Sequence, residues 1–510
     1  MNNILKIMSN RIVLIVLLIV IQLGLLFGVI IRFNDYFVYF YSVYLVVSMA
    51  VIIKIVNNRS NPAYKIAWII PIMLIPIFGT VIYLVFGNTG YSKKEQIRMS
   101  AVQEREKEAN LLTSNASEII DGNLDAKVQS TYLTSYGEAA LFGHTTSEYY
   151  GTGEESLKGM LDALEAAEHY IFMEYFIVEE GKMWDSILEV LVRKAEEGLD
   201  VRFVYDDFGC LLTLPHRYNK KLEELGIKCS VFNPFIPVLS PVFNNRNHRK
   251  ITVIDGKVVF TGGINLADEY INKVERFGYW KDNSIKIEGE AAWGFTLLFL
   301  SMWDFINNTQ TDVNPFMPNY KPGELPETDG YYQPYVDSPF DDETVGMNVY
   351  LNMINKAKEY VYFTTPYLVI DNLLMEALCS AAKGGVDVRI ITPHIPDKWY
   401  VHAVTKSNYV RLIEAGVRIY EYTPGFIHSK TCVVDDLYAT VGTVNLDFRS
   451  LFLHFECGVW MYKGSGVKSV YDDHMATEGV SQLITLEEAT NIFWFTKIGR
   501  ACLAVFSPLM

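Results

Sequence analysis

The chain is poor in cysteine, with six in 510 residues and no C-x-x-C pair. That removes a zinc cluster or a disulfide framework as the basis of the fold. Positive charge is also scarce, and the net charge is −15. Residues 1–87 carry six Lys or Arg against one acid, a net of +5, so the other 423 residues carry −20. An acidic body is the wrong surface for a phosphate backbone, which excludes nucleic acid as the expected substrate. The 423 residues are ample for two packed lobes.

What the chain does have is one short pattern, His-x-Lys-x4-Asp, written twice. It reads His248, Lys250 and Asp255, then, 180 positions later, His428, Lys430 and Asp435. Seven positions after each Asp come two small residues and then an Asn: Gly262-Gly263-Ile264-Asn265 and Gly442-Thr443-Val444-Asn445. Side chains two apart on a strand share a face, so each imidazole projects beside an ammonium. The flanking residues (Ile251, Val253, Ile254; Val433, Val434) suit buried strands. Two copies brought together would put two His, two Lys and two Asn around one anionic centre, a site for phosphodiester chemistry. One imidazole would attack phosphorus while the other serves as acid and then base. Lys250, Lys430, Asn265 and Asn445 would stabilise the non-bridging oxygens. No metal and no cofactor are needed in that scheme.

Each histidine also needs an acid on its far nitrogen. The candidates are Asp282 and Glu456, 34 and 28 residues after their respective histidines. Asp255 and Asp435 complete the catalytic set, yet each also begins a hairpin-turn pair (Asp255-Gly256, Asp435-Asp436). Fixing a loop is at least as well supported for them as touching substrate. Cys432, inside the second motif, is expected to pack beside the site.

The duplication extends beyond the motifs. Leu164-Glu165-Ala166-Ala167 is echoed by Ile354-Asn355-Lys356-Ala357, and Gly198-Leu199-Asp200-Val201-Arg202 by Gly385-Val386-Asp387-Val388-Arg389. Each half reads strand, helix, strand, helix, strand, motif, which predicts an α/β protein of two similar lobes with the site at their seam. The expected divisions are a membrane segment 1–90, a charged connector 91–130, lobes 131–312 and 336–480, a linker 313–335 and an amphipathic C-terminal segment 481–510.

Residues 12–31 and 36–55 are apolar runs long enough to span a bilayer. A third run, 67–86, is interrupted by Pro71, Pro76 and Gly79, as in a kinked span or a re-entrant segment. Lys6 and Arg11, Lys54, Arg59 and Lys65, and Lys93, Lys94 and Arg98 form three basic clusters. A re-entrant third run places all three on the cytoplasmic side, and with them the catalytic lobes. Residues 492–510 are apolar and aromatic, fitting either an interfacial helix or a helix buried in the core.

The paired motifs, with Asn244 to Lys250, Tyr205 to Gly209, Phe277 to Asp282, Gly425 to Lys430 and Asn445 to Ser450, resemble the phospholipase D superfamily. Within it they resemble the bacterial cardiolipin synthases, from about Asn61 to the end. Two positions depart from that pattern: His454 stands where Asn is expected and Lys281 where Arg is usual. The resemblance implies phosphatidyl transfer between two phosphatidylglycerols, giving cardiolipin and glycerol through a phosphohistidine, with His248 as nucleophile and His428 as acid/base. The implied partners are phosphatidylglycerol and cardiolipin in the cell membrane. The alternatives are a membrane phospholipase D using water as acceptor, a phosphatidylserine-forming transferase and an inactive membrane scaffold.

Overall fold

The computed structural model describes residues 37–87, 93–113, 122–234, 244–341 and 343–510, with isolated positions between 20 and 28. Of the first apolar run, 12–31, only those isolated positions are among them, so the expectation of a span there lies outside the described residues. The chain divides into two compact units.

In the N-terminal unit, α1 (Phe37–Asn57) is followed by α2 (Pro62–Leu74) and α3 (Pro76–Ile82). The third apolar run is therefore two helices and a π-helical turn (Tyr83–Gly87), broken where Ile75 leaves helical geometry (φ −135°, ψ 75°). The chain folds back so closely that a Cβ on Gly79 would lie 2.4 Å from the Pro71 carbonyl oxygen. Ser48 of α1 hydrogen-bonds Thr80 of α3 at 2.7 Å, pairing two hydroxyls in apolar surroundings. Val43, Val46, Met49 and Ile53 of α1 are exposed. Among the described residues, no helix is long and apolar enough to cross a membrane.

The larger unit contains two sheets of matching order. In the first, β1 (Thr145–Tyr150), β8 (Ser284–Gly289), β6 (Val258–Gly262), β5 (Ile251–Ile254), β2 (Tyr170–Tyr175), β3 (Asp200–Asp206) and β4 (Lys228–Phe232) lie side by side. The second runs β9 (Tyr331–Asp337), β18 (Glu456–Tyr462), β16 (Tyr438–Gly442), β15 (Thr431–Val434), β10 (Tyr360–Thr364), β12 (Asp387–Pro393), β13 (Arg418–Tyr422), with β19 (Ser481–Leu483) added at the edge. Strand for strand the two orders coincide, so the α/β fold with two similar lobes is as expected. The second sheet starts inside the expected linker, at β9, and ends beyond residue 480, at β19. The helix Leu124–Tyr136 precedes the first lobe in sequence but buries Ala126 and Leu133 in the second lobe's core.

Local sequence accounts for these elements. Every residue of β2 is buried, as the apolar run Tyr170–Met173 requires, and Glu174 is carried in with them. The helix Lys182–Glu196 buries Trp184, Ile187 and Leu191, one face at helical spacing. Asp255 and Gly256 have φ of 52° and 65°, Asp435 and Asp436 51° and 54°, so both β5–β6 and β15–β16 close through left-handed turn residues.

Candidate active site

His248 and Lys250 lie on the run-in to β5, and His428 and Lys430 on the run-in to β15. Both run-ins extend past the carboxyl ends of the neighbouring strands β2 and β10, because β5 pairs antiparallel with β2 and β15 with β10. The lobes exchange backbone here. In the second lobe, β14 (Gly425–Ile427) pairs in parallel with the first lobe's β7 (Tyr279–Lys281), and the His428 amide donates to Lys281 O at 2.7 Å. In the mirror arrangement Asn247 bridges Phe455, and the His248 amide donates to Phe455 O at 2.9 Å. Each histidine is thus clamped beside the residue that precedes the other lobe's acid.

The acid pairing is crossed as a result. His428 Nδ1 lies 2.7 Å from Asp282 Oδ2, and His248 Nδ1 lies 2.9 and 3.0 Å from the two oxygens of Glu456. Asp282 and Glu456 do partner the histidines, but in the opposite assignment to the one expected within each lobe. Strand exchange carries each acid across the seam. Both acids are fully buried. The small residues after the motifs seat them: a Cβ on Gly263 would fall 2.0 Å from Asp282 Oδ1, and Thr443, in the equivalent place, donates its hydroxyl to Glu456.

Burial pushes both imidazoles down, and the two lysines push them further. His248 lies well below its ordinary range; His428 falls to about 4 although Asp282 pulls it back up. Burial alone would raise Asp282, but His428 and Lys430 hold it below the usual carboxylate range. The state these shifts favour is a neutral imidazole with Nδ1–H donated to a carboxylate and a free lone pair on Nε2. Burial also lowers Lys250 to about 7 and Lys430 to about 8, against the pull of the acids. Lys250 Nζ donates to His248 O at 2.6 Å, and Lys430 Nζ likewise to His428 O.

The remaining expected residues are placed less uniformly. Asn265 accepts from the Ile177 amide at 3.1 Å and donates to Tyr270 Oη at 2.6 Å, while the Oδ1 of Asn445 has no hydrogen-bond partner among the described residues. Asp255 and Asp435, grouped with the catalytic residues in the sequence, stand at the far ends of their strands. Five residues of extended chain separate each from its lysine, roughly 16 Å. Asp255 accepts from the amides of Glu168, His169 and Tyr170 at 2.8 Å each, and Asp435 from those of Lys358, Glu359 and Tyr360 at 2.7–2.9 Å. They fix the turn leading into β2 and β10 and lie outside the site. Cys432 is buried in the second core, as expected.

His454 comes within 5.5 Å, ring to ring, of His248, with Nδ1 3.6 Å from Glu456. Both its nitrogens are buried, and among the described residues neither has a hydrogen-bond partner within 3.5 Å. His248, His454 and Glu456 are the one grouping among the described residues able to hold a metal, their ligand atoms lying within 4.8 Å of one another. Lys250 and Lys430 place cationic charge around it, which opposes a divalent ion. Beneath His248, Asn247 donates to buried Glu174 at 2.6 Å and its amide to Asp206 at 3.1 Å. Burial raises both acids to about 6, against Arg249 and Arg246 respectively. Sequence alone gave Asn247 no role.

The model of a family described as cardiolipin synthase, PLD-like domain, matches residues 160–283 and 350–476, and that of a phospholipase D-nuclease N-terminal region matches 46–88. An uncharacterized protein of Streptococcus mutans is 40% identical over 461 residues, 90% of this chain and 99% of that one. A cardiolipin synthase of Halalkalibacterium halodurans is 32% identical over 474 residues, 90% and 91% of the two chains. Among solved structures, the phosphatidylserine synthase of Haemophilus influenzae aligns with a TM-score of 0.56 and 18% identity, over 76% of this chain and 98% of that one. At that identity the likeness concerns the fold.

Proposed function

The chain belongs to the cardiolipin synthase family of phospholipase D-like proteins, and from that premise we propose that it transfers a phosphatidyl group from one phosphatidylglycerol to another. One imidazole Nε2 attacks phosphorus. The bond to the departing glycerol oxygen breaks, and the other imidazole supplies the proton that makes it glycerol. A hydroxyl of the second phosphatidylglycerol then attacks phosphorus and loses its proton to that same imidazole. The P–N bond breaks, leaving cardiolipin and the free histidine. The negative phosphodiester, on entering, raises the depressed pKa values of the imidazoles and lysines, so the acid and the two ammoniums are charged when needed. Family resemblance makes His248 the nucleophile and His428 the acid/base.

The observation that carries this reading is the pair of crossed dyads, His248–Glu456 and His428–Asp282, each beside a lysine. The N-terminal unit supports membrane residence, because α1 presents Val43, Val46, Met49 and Ile53 outward. In this reading the multi-pass segment ends in the folded-back pair α2–α3, and the basic clusters keep the lobes cytoplasmic.

The test is product analysis of purified protein supplied with phosphatidylglycerol. Cardiolipin with equimolar glycerol is expected. Phosphatidic acid with glycerol would make water the acceptor and refute the transfer, and no turnover of any lipid would leave the scaffold reading.

A further inference from the structure

The C-terminal helix Trp494–Phe506 turns an apolar face outward. Trp494 and Ile498, four apart, are each more than half exposed, Cys502 and Val505 continue the stripe, and Phe493 and Phe495 flank its start at 65% and 59% exposure. Arg500 turns inward instead, towards Tyr409 and Glu421. A helix that turns its aromatics outward beside an exposed Lys497 is completed by something apolar with an anionic edge.

Its position says what. The helix packs on Trp399–Glu414, and the chain end is tied down by Arg449 Nε donating to Met510 O at 2.7 Å, four residues after Asn445. It therefore borders the same end of the second sheet as His428. The segment after β12 shares that end and exposes Ile395 and Trp399, and the loop after β3, at the matching end of the first sheet, exposes Phe208 and Leu212. Lys398 and Lys497 stand among these apolar residues. An aromatic stripe with interspersed lysines at the sheet end that carries the histidines has the composition of an interfacial segment, with rings at headgroup depth and ammoniums on anionic lipid.

We propose that this rim, led by the helix Trp494–Phe506, is a lipid-binding surface that seats the catalytic lobes on an anionic bilayer. It rests on the reading of the substrate as a phospholipid. A second copy of the chain would also cover the stripe, and the experiment separates the two.

Among the six cysteines Cys502 alone is exposed, so the full-length protein takes a polarity-sensitive fluorophore there without mutation. In vesicles of phosphatidylglycerol and phosphatidylcholine the expected emission is blue-shifted, quenched by lipids brominated in the acyl chain and protected from iodide. Quenching by iodide with none from brominated lipid overturns the proposal. So does a signal that follows protein concentration instead of lipid, which marks a second copy. A Trp494→Glu/Ile498→Glu variant is expected to raise KM for vesicular phosphatidylglycerol about tenfold, as loss of two apolar anchors implies. Its turnover of monomeric short-chain phosphatidylglycerol stays at the parent's level. Equal loss on both substrates counts against the surface. If the parent makes no cardiolipin from either substrate, the functional reading fails while the fluorophore still reports the seating.

Discussion

At the site, the two histidines are interchangeable in geometry and not in partners. In the proposed scheme each serves in both half-reactions, so His248→Ala and His428→Ala are each expected to abolish turnover; near-normal activity in either variant breaks the scheme. Asp282→Asn and Glu456→Gln remove the acceptor that fixes the Nδ1–H tautomer. Each is expected to lower kcat by about 10³- to 10⁴-fold without unfolding the protein, the penalty of a wrong tautomer. The Asp255→Ala change does the reverse. Three backbone amides lose their acceptor, at a cost of about 1–3 kcal/mol. The melting temperature should fall while kcat of the folded protein is kept; a catalytic collapse at unchanged melting temperature would return Asp255 to the site. The spacing of the motif exposed the histidines and lysines because period two on a strand is a local property. It could not separate Asp255 from them, since distance along a strand and membership of a motif look alike in one dimension. His454 stood out only as a departure from the family pattern.

Among the elements, the exchange between β14 and β7 decides which acid meets which histidine. Its closest approach is at Gly425, where a Cβ would fall 2.2 Å from Tyr279 O. Gly425→Ala is therefore expected to part the two strands and move His428 off Asp282, cutting activity far more than it lowers the melting temperature. The opposite ranking would mean that the exchange supports only the fold. Strands, turns and repeat order were legible because each follows from patterning within about ten residues. Asp255-Gly256 and Asp435-Asp436 foretold their hairpins correctly. The crossed pairing was not legible: Asp282 lies 34 residues from His248 and 146 from His428, and proximity in sequence favoured the wrong partner. The helix Leu124–Tyr136, which spans the boundary drawn between connector and first lobe, packs in the core of the second.

For the molecule as a whole, the site is a cationic pocket inside an acidic protein, and its charge depends on pH. His428 is deprotonated above about 4, and burial with the neighbouring lysines holds His248 well below its ordinary range. The free lysines lose their protons through about 7 and 8. Hence kcat/KM, which reports the free enzyme, is expected to fall as pH rises above about 4, where the acid His428 loses its proton, and more steeply through 7–8 as the lysines follow. The alkaline limb of kcat should lie higher, because bound phosphodiester holds the ammoniums charged. Coincident limbs would show that the lysines do not meet the phosphate. Activity is expected to persist in chelator, and loss restored by a divalent metal would refute the metal-free scheme.

The central claim is a double displacement through one histidine at a site shared by both lobes. It is tested most directly by the stereochemistry at phosphorus, using phosphatidylglycerol made chiral there with sulfur and an oxygen isotope. Two in-line displacements predict cardiolipin with retained configuration. Inversion would mean that the acceptor attacks the donor lipid directly, and would contradict the phosphohistidine and the roles assigned to His248 and His428.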